Sequence, residues 1–363
     1  MSAGVPSRRG GRMSKEGTLQ VYYDPSLGDG AGAGVIQLAA RNQAISLLST
    51  DDLRDAAVRL SQGEGDLLAC SAEWAIANPS NGLTVVGTLP RKEPTLIMVS
   101  DDKMEYLAKS AIIVTELELC RRQLIRARSD LEILTPSSIA ELRGLECPNL
   151  SDKVAIATWL EDLRQRGEID GFVISRSLFD AANIKSRRHT LGLQRGESGR
   201  QRFLPPPWQG FTLLMARPGF PLDIIIEDLD ESAFLAFNLE SKILFGIDEN
   251  IRTYIGLYAG QRQIGTVLRK LDSEDDLHLL TELTDADGKP RSSKPRVELM
   301  LEVLNRDGLV TISVERIAPH DEAVEAAIRL LQTFTDLMEI ATMEHLASPR
   351  QGNPRPPMMN LDD

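Results

Sequence analysis

The chain has 363 residues and carries 41 Lys and Arg against 53 Asp and Glu, so its formal charge at pH 7 is −12. This length predicts two or three domains, and 42% hydrophobic with 26% charged residues is typical of a soluble globular protein. The acidic balance argues against a general nucleic-acid binder or a binder of anionic membranes, because both need an excess of basic charge.

The first part of the chain alternates short apolar strands with helices. In chain order, the pattern predicts strands at Leu19–Tyr23, Asp66–Cys70, Leu83–Leu89 and Thr95–Val99, and helices at Val35–Leu48 and Leu53–Leu60. Such alternation indicates α/β architecture with a mainly parallel sheet.

The same alternation continues to residue 215 and then changes. It predicts strands at Ser110–Val114, Leu131–Leu134, Phe172–Ser175 and Phe211–Met215, helices at Cys120–Arg128 and Asp152–Arg166, and an exposed basic loop at Lys185–Arg202. Beyond Pro221, the pattern predicts helices at Ser232–Phe245 and Glu322–Glu344 and strands at Arg252–Tyr258, His278–Glu282 and Arg296–Glu302. This change of pattern predicts a separate α+β domain.

The cysteines, the histidines and the two ends of the chain suggest a protein of a reducing compartment. Three scattered cysteines and four scattered histidines lack the spacing of a disulfide framework or a metal site, so we expect no metal and a cytoplasmic location. No apolar run reaches the ~18 residues of a membrane span. Residues 1–16 are basic and predict a disordered tail or, alternatively, an organelle transit segment. Residues 346–363 predict a second disordered tail.

Two motifs suggest ligand binding, and each has a plainer interpretation. Gly28–Ala33 fits the loose form of a dinucleotide loop, with Asp51 or Asp52 about twenty residues further on, but it also describes a flexible connector. Arg121 and Arg122, with the arginines of the 185–202 loop, predict an anion-binding wall or simply a solvated surface.

Several segments, in order, resemble porphobilinogen deaminase (hydroxymethylbilane synthase). They are LRDAAVRLSQGEGDLLACS from residue 53, GLTVVGTLPRKEPTLIMVS from residue 82, LEDLRQRGEIDGFVIS from residue 160, LPPPWQGFTLL from residue 204, and Asp230–Ala259. The resemblance implies an α/β fold of two periplasmic-binding-protein-like lobes with a third small α+β domain. The implied boundaries are 17–105 plus 203–217 for lobe 1, 106–202 for lobe 2 and 222–345 for the C-terminal domain.

The functional residues of that family carry over incompletely. The resemblance places its catalytic aspartate on Trp74, the preceding lysine on Glu73, and the cysteine that tethers the dipyrromethane cofactor on Ile251. An indole cannot stabilise a cationic pyrrole as a carboxylate does, and isoleucine cannot form a thioether. We therefore expect no cofactor and no dipyrromethane attachment.

The resemblance, together with the arginine-rich segments, nonetheless gives a set of site residues. Glu73 is the candidate acid, and the candidate ligand-binding residues are Ser71, Trp74, Arg121, Arg122, Arg187 and Arg188. The arginine pair of the family falls on Leu119-Cys120 without a gap, or on Arg121-Arg122 if two residues are inserted.

Two functional hypotheses follow from the resemblance. The first is a catalytically degenerate protein of tetrapyrrole (porphyrin and heme) ancestry that binds a small carboxylated, pyrrole-like ligand or a protein partner. The second is an active hydroxymethylbilane synthase, a transferase that polymerises porphobilinogen with displaced catalytic groups. Losing one such charged group commonly costs about a hundredfold in rate, which favours the first. A nucleotide-binding enzyme that uses Gly28–Ala33 is a third hypothesis.

Overall fold

The computed structural model describes residues 18–79, 82–193, 202–273, 275, 277–343 and 357–359. The chain forms two compact units, Met1–Lys92 with Gly210–Glu231 and Glu93–Gln209 with Ser232–Asp363. We call the first unit the first lobe, and the two segments of the second unit the second lobe and the third domain. The domain boundaries given by the resemblance remain predictions. The predicted N-terminal tail lies outside the described residues, as does the predicted C-terminal tail apart from residues 357–359.

The described residues contain strands and helices from end to end. The strands are β1 Leu19–Tyr23, β2 Ile45–Ser49, β3 Leu67–Ser71, β4 Thr84–Thr88, β5 Leu96–Ser100, β6 Ile112–Val114, β7 Glu132–Leu134, β8 Gly171–Ser175, β9 Arg188–Thr190, β10 Thr212–Ala216, β11 Ile255–Arg262, β12 Arg296–Leu304 and β13 Thr311–Pro319. The helices are α1 Ala31–Arg41, α2 Leu53–Ser61, α3 Ala72–Ala77, α4 Glu118–Ala127, α5 Pro136–Arg143, α6 Lys153–Gln165, α7 Arg176–Ala181, α8 Glu231–Phe245, α9 Ile264–Ser273, α10 Leu277–Leu283 and α11 Ala323–Thr342.

The first lobe is built on a five-stranded sheet in the order β2-β1-β3-β10-β4. β1 pairs in parallel with β2 and β3, whereas β10 runs antiparallel between β3 and β4. One cluster of buried apolar side chains joins the sheet to α1 and to the segment after β10. Its members are Leu19, Val21, Val35, Leu38, Ile45, Leu67, Ala69, Leu89, Leu214, Ala216 and Ile225.

The sheet of the second lobe repeats this strand order. Its sequence is β7-β6-β8-β5-β9, with β6 parallel to β7 and β8 and with β5 antiparallel between β8 and β9. The antiparallel strand is β10 in the first lobe and β5 in the second. Each is the first strand after the chain crosses from one unit to the other. The predicted fold, two periplasmic-binding-protein-like α/β lobes with a small third domain, is confirmed.

Both faces of the second sheet are covered, which explains why its three inner strands β6, β8 and β5 are almost continuously apolar. On one face, Ile139 of α5, Ile156 of α6 and Phe179 of α7 belong to a single buried cluster. On the other face, Cys120 and Leu124 of α4 belong to a second cluster.

The third domain is an antiparallel sheet in the order β11-β12-β13, with α11 packed against β12 and β13. Successive side chains of a strand point to opposite faces, so Val297, Leu299 and Leu301 lie on one face of β12, and Glu298 and Glu302 lie on the other. Both glutamates are nevertheless buried. The face that carries them must therefore be covered by other polar groups.

Helix α4 of the second lobe supplies those groups for Glu302. Gln123 Nε2 donates to Glu302 Oε1 at 2.8 Å and to the carbonyl of Leu204 at 2.9 Å, and Arg126 Nη1 donates to Glu302 Oε2 at 3.1 Å. Gly256 faces Glu302 in the register of β11 and β12, and a Cβ there would lie 2.7 Å from the Leu204 Cβ. The third domain is thus attached to the second lobe through buried polar contacts.

Several elements differ from the sequence prediction. The predicted helix Val35–Leu48 ends at Arg41, and residues 45–49 form β2, because a short apolar run directly after an apolar helix has no periodicity of its own. The predicted strand His278–Glu282 lies within helix α10, and β13 was not predicted. Part of the predicted loop at 185–202 forms β9, and residues 194–201 lie outside the described residues.

Candidate functional site

The carboxyl ends of β1, β2, β3 and β4 lie at one edge of the first-lobe sheet, where the antiparallel β10 begins. β3 ends at Ser71, which lies opposite Thr212, the first residue of β10. β10 is antiparallel to both β3 and β4, so β4 ends at this edge too, and Leu89 N–H donates to the Thr212 carbonyl at 3.0 Å. Ligands of open α/β sheets bind outside the carboxyl ends of the strands.

Asp29 lies at this edge, in the loop between β1 and α1. Its Oδ1 accepts the Ala31 N–H at 3.0 Å, and the Ser71 side chain is a further hydrogen-bond partner. Burial raises the pKa of Asp29 above its ordinary value of 3.8, and the charge of Asp24 adds to this, whereas the bonds from Ala31 and Ser71 act in the opposite direction. The carboxyl group therefore keeps its proton to a higher pH than an exposed aspartate does.

Arg91 adds a positive charge to the same edge. Ala72 N–H donates to the Phe211 carbonyl at 3.2 Å, which places Phe211 beside the start of α3. The Arg91 guanidinium carbon lies 3.9 Å from the centroid of the Phe211 ring, within the range of a cation–π contact. Asp29 is thus linked to the Ser71 hydroxyl, and the Arg91 guanidinium lies on the ring of Phe211, whose carbonyl bonds the residue after Ser71. We call Asp29, Ser71 and Arg91 the edge site.

The loop that was compared with a dinucleotide motif belongs to this edge. Gly28 and Gly30 adopt positive φ angles of 66° and 91°, which a side chain would strain. The Ala31 N–H at the start of α1 already donates to the carboxyl of Asp29. Since backbone N–H groups are what a pyrophosphate binds in such a motif, the contact with Asp29 weakens the nucleotide hypothesis.

Three predicted site residues lie together around α3. Ser71 is the N-cap of this helix, and its Oγ accepts the Trp74 N–H at 3.3 Å. Glu73 is exposed in the first turn, and Trp74 is half-buried. Of the three, Ser71 belongs to the edge site. The role of Glu73 as an acid and that of Trp74 as a ligand contact remain predictions.

The predicted arginines Arg121 and Arg122 lie on α4 in the second unit. Both donate to Glu118, with Nε–O distances of 2.7 and 2.9 Å. Arg122 is almost fully buried; its Nη1 donates to the Leu304 carbonyl at 2.7 Å, and its guanidinium lies 3.7 Å from the Tyr254 ring centroid. The pKa of Glu118 is lowered by these arginines, which outweigh the effect of its partial burial.

The remaining predicted residues lie elsewhere in the second unit. Arg187 and Arg188 are exposed near β9; the first donates to the Asp101 carbonyl at 3.0 Å, and the second lies 4.8 Å from the Phe179 ring centroid. Ile251 is half-buried in a 3₁₀ segment of the third domain. Ligand binding by the four arginines remains a prediction.

The corresponding edge of the second sheet carries hydroxyl groups. Thr115, Thr135 and Ser175 follow or end the parallel strands β6, β7 and β8. Each hydroxyl oxygen already accepts a backbone N–H, from Leu117, Ser138 and Leu178 respectively. These side chains therefore shape the loops of the second lobe.

Sequence reasoning missed Asp29 and Arg91 as members of one site. Asp29 stood inside the glycine-rich run, and Arg91 inside the strand-and-turn segment from residue 82. The topology brings both to the same sheet edge: β1, which precedes Asp29, pairs with β3, and β10 joins β3 to β4, which precedes Arg91. A signal for Asp29 did exist, since a lone acid between two glycines before a helix is unusual in a phosphate-binding loop.

Comparison with solved structures returns substrate-binding proteins. The periplasmic aliphatic sulphonate binding protein SsuA of Escherichia coli is 14% identical, with a TM-score of 0.31 over 89% of this chain and 87% of that one. A putative methionine-binding lipoprotein of Bacillus subtilis is 11% identical, with a TM-score of 0.36 over 60% and 91%. A periplasmic substrate-binding protein of an ABC transporter from Coxiella burnetii is 12% identical, with a TM-score of 0.33 over 60% and 94%. No family model and no curated protein matches the chain.

These comparisons contradict the predicted membership of the porphobilinogen deaminase family. The similar structures are binding proteins, and no family match supports the resemblance, so the assignment to that family is wrong. Both tetrapyrrole hypotheses, the degenerate protein and the active transferase, are wrong with it. The segments that carried the resemblance coincide with strand, helix and turn units of the two lobes and, for Asp230–Ala259, of the third domain. Such units follow from α/β architecture, whatever the function.

The predicted cytoplasmic location is also contradicted, because the similar proteins are described as periplasmic or as a lipoprotein. Within the part of the chain that the structure describes, none of the helices has both the length and the apolar character of a membrane-spanning segment.

Proposed function

We propose that the chain binds a small molecule that carries a carboxylate and a hydrogen-bond donor, and that it does so at the edge site. The observation that supports this most directly is the contact of Asp29 with Ser71, on the same sheet edge as the contact of Arg91 with Phe211. An acid and a guanidinium on one edge suit a ligand with both kinds of group.

Arg91 is suited to the carboxylate. A guanidinium presents several N–H groups in one plane, matches the two oxygens of a carboxylate, and is weakly hydrated. Its contact with the Phe211 ring limits the orientations that it samples. Less conformational freedom then has to be lost when a ligand binds.

Asp29 is suited to the donor group. When ionised it accepts hydrogen bonds only, so an ammonium or another N–H group is its natural partner. Because burial raises the pKa of Asp29, this acceptor gains strength as the pH rises. The carboxylated part of the ligand predicted from the sequence is retained here, and the pyrrole part is not, since it came from the family resemblance.

A thermal-shift screen with the common amino acids and ethanesulfonate tests the proposal. Methionine and aliphatic sulphonates are named for two of the similar proteins, so they are natural probes. The amino acid that stabilises most is then titrated calorimetrically beside its decarboxylated amine and its deaminated acid. We expect the intact amino acid to bind more tightly than either truncated compound.

Three variants locate the binding. Arg91→Gln should weaken binding of the amino acid by about tenfold or more, because it removes a charged hydrogen-bond donor. Asp29→Asn should weaken it too, whereas Arg41→Gln, at the far end of α1, should leave it unchanged. The proposal fails if no probe stabilises the protein, or if Arg91→Gln and Arg41→Gln behave alike.

A further inference from the structure

A second feature of the first lobe is a groove of about 360 Å³ between α2 and α3. Its walls include Arg54, Ala57 and Val58 of α2, Trp74 of α3, and Asn78 directly after α3. The volume is at the lower end of the range of small-molecule sites, about 300–1,000 Å³. We call this feature the α2–α3 groove.

Arg54 brings a positive charge to the groove and is held in place there by a neutral group. Its Nε donates to Asn78 Oδ1 at 2.6 Å, and Asn78 Nδ2 donates to the Trp74 carbonyl at 2.9 Å. Among residues 18–79 and the other described ranges, no carboxylate forms an ion pair with Arg54. Within those ranges, no carboxylate therefore competes with a ligand for the two terminal amino groups of Arg54.

Most of the other residues that line the groove are apolar, with Ser61 as a further polar one. Trp74 lines the groove with its indole, and Val58 is 52% exposed although its side chain is aliphatic. An aromatic ring that covers both would remove apolar surface from water, which favours binding. No acidic side chain lines the groove among the described residues, so nothing there favours an ammonium group.

We propose that the α2–α3 groove binds an aromatic monocarboxylate, with its ring against Trp74 and Val58 and its carboxylate on Arg54. Asn78 acts as a positioning residue, because it engages Nε and directs the terminal amino groups of Arg54 toward the ligand. This site is separate from the edge site, where the paired acid and guanidinium suit a ligand with both charges. The two sites therefore differ in the chemistry that they select.

Ligand-observed ¹⁹F NMR tests this directly. The probe is 4-(trifluoromethyl)benzoate, and the matched neutral probe is 4-(trifluoromethyl)benzamide. We expect the full-length protein to bind the benzoate at millimolar or lower concentration and the benzamide at least about tenfold more weakly, since the amide lacks the charge that Arg54 recognises. The proposal is overturned if the benzoate does not bind, or if the two probes bind equally.

Variants separate this site from the edge site. Arg54→Gln should weaken benzoate binding about tenfold or more, Arg54→Lys should restore part of it, and Arg91→Gln should leave it unchanged. Trp74→Phe, a smaller change than Trp74→Leu, should weaken the binding of both probes. The far-UV circular dichroism spectrum of this variant should match that of the unmodified chain. Benzoate binding that is lost in Arg91→Gln but kept in Arg54→Gln would contradict the groove and would leave the edge site supported.

Discussion

Arg126 on α4 and Glu302 on β12 form an ion pair inside the protein. The distance from Nη1 to Oε2 is 3.1 Å, and the two side chains are 9% and 1% exposed. Gln123 completes the hydrogen bonding of the same carboxylate. The contact joins the second lobe to the third domain, so the stability of both depends on it.

Removing one partner of this pair should be costly. In Glu302→Ala, the guanidinium of Arg126 stays buried without its counter-charge, and we expect the free energy of unfolding to fall by about 3–5 kcal/mol. Glu325→Ala is the control, because Glu325 pairs with Arg329 at exposed positions and should lose at most about 1 kcal/mol. Urea unfolding followed by circular dichroism measures both. A loss below about 1 kcal/mol for Glu302→Ala would show that the pair is not structural.

Gly308 should resist substitution more than another glycine of similar backbone conformation. Gly308 and Gly144 have φ angles of 68° and 62°, so alanine at either position costs about 1–2 kcal/mol of backbone strain. A Cβ on Gly308 would also lie 2.8 Å from the Arg122 carbonyl oxygen, whereas a Cβ on Gly144 meets nothing within 4 Å. We expect the thermal midpoint of Gly308→Ala to fall clearly below that of Gly144→Ala. Equal midpoints would contradict the close approach of the 305–310 turn to α4.

Asp29 predicts a pH dependence of stability with a definite sign. Burial raises the pKa of Asp29 in the folded chain, so between the unfolded value near 3.8 and the folded pKa the native state holds the extra proton. The contribution of Asp29 to stability is therefore fully present below pH 3.8 and is lost as the pH rises through the folded pKa. Asp29→Asn removes this dependence, so its stability relative to the unmodified chain should increase with pH. Parallel curves from urea unfolding at pH 4 to 8 would contradict the assignment.

The three cysteines should react in a fixed order. Cys70 and Cys120 are fully buried, and burial raises the pKa of both, that of Cys120 to about 12. Cys147 is only half-buried, although its pKa is also raised by partial burial. Because the thiolate is the reactive form, iodoacetamide should modify Cys147 first and the other two only after unfolding. Mass spectrometry of the native protein that shows Cys70 or Cys120 modified at the rate of Cys147 would contradict this order.

Local pattern was sufficient to predict most of the lobes. β1 was predicted as Leu19–Tyr23 and has those bounds, and the helix predicted at Asp152–Arg166 is α6, Lys153–Gln165. In both elements, the spacing of the apolar residues and the positions of the flanking polar residues predict the same element with nearly the same bounds. β2 was missed because only residues 42–44 separate its apolar run from α1, and α10 was predicted as a strand because short apolar runs fit either period.

The site was harder to predict than the fold. Ser71 was named, and it lies at the sheet edge. Asp29 comes to this edge through the pairing of β1 with β3, and Arg91 through the pairing of β10 with both β3 and β4. Arg122, which was predicted to bind a ligand, contacts Glu118, the Leu304 carbonyl and the Tyr254 ring, and its binding of a ligand remains a prediction. Pairings between residues this far apart in the chain are decided by topology, which a single sequence does not show.

The most direct test of ligand binding at the edge site is hydrogen–deuterium exchange of the full chain with and without the amino acid that stabilises it most. We predict slower exchange in peptides that contain residues 28–34, 71–74 and 210–212, and no such change in Arg91→Gln. If no amino acid slows exchange in these peptides, or if the protection lies outside the first lobe, binding at this edge is contradicted.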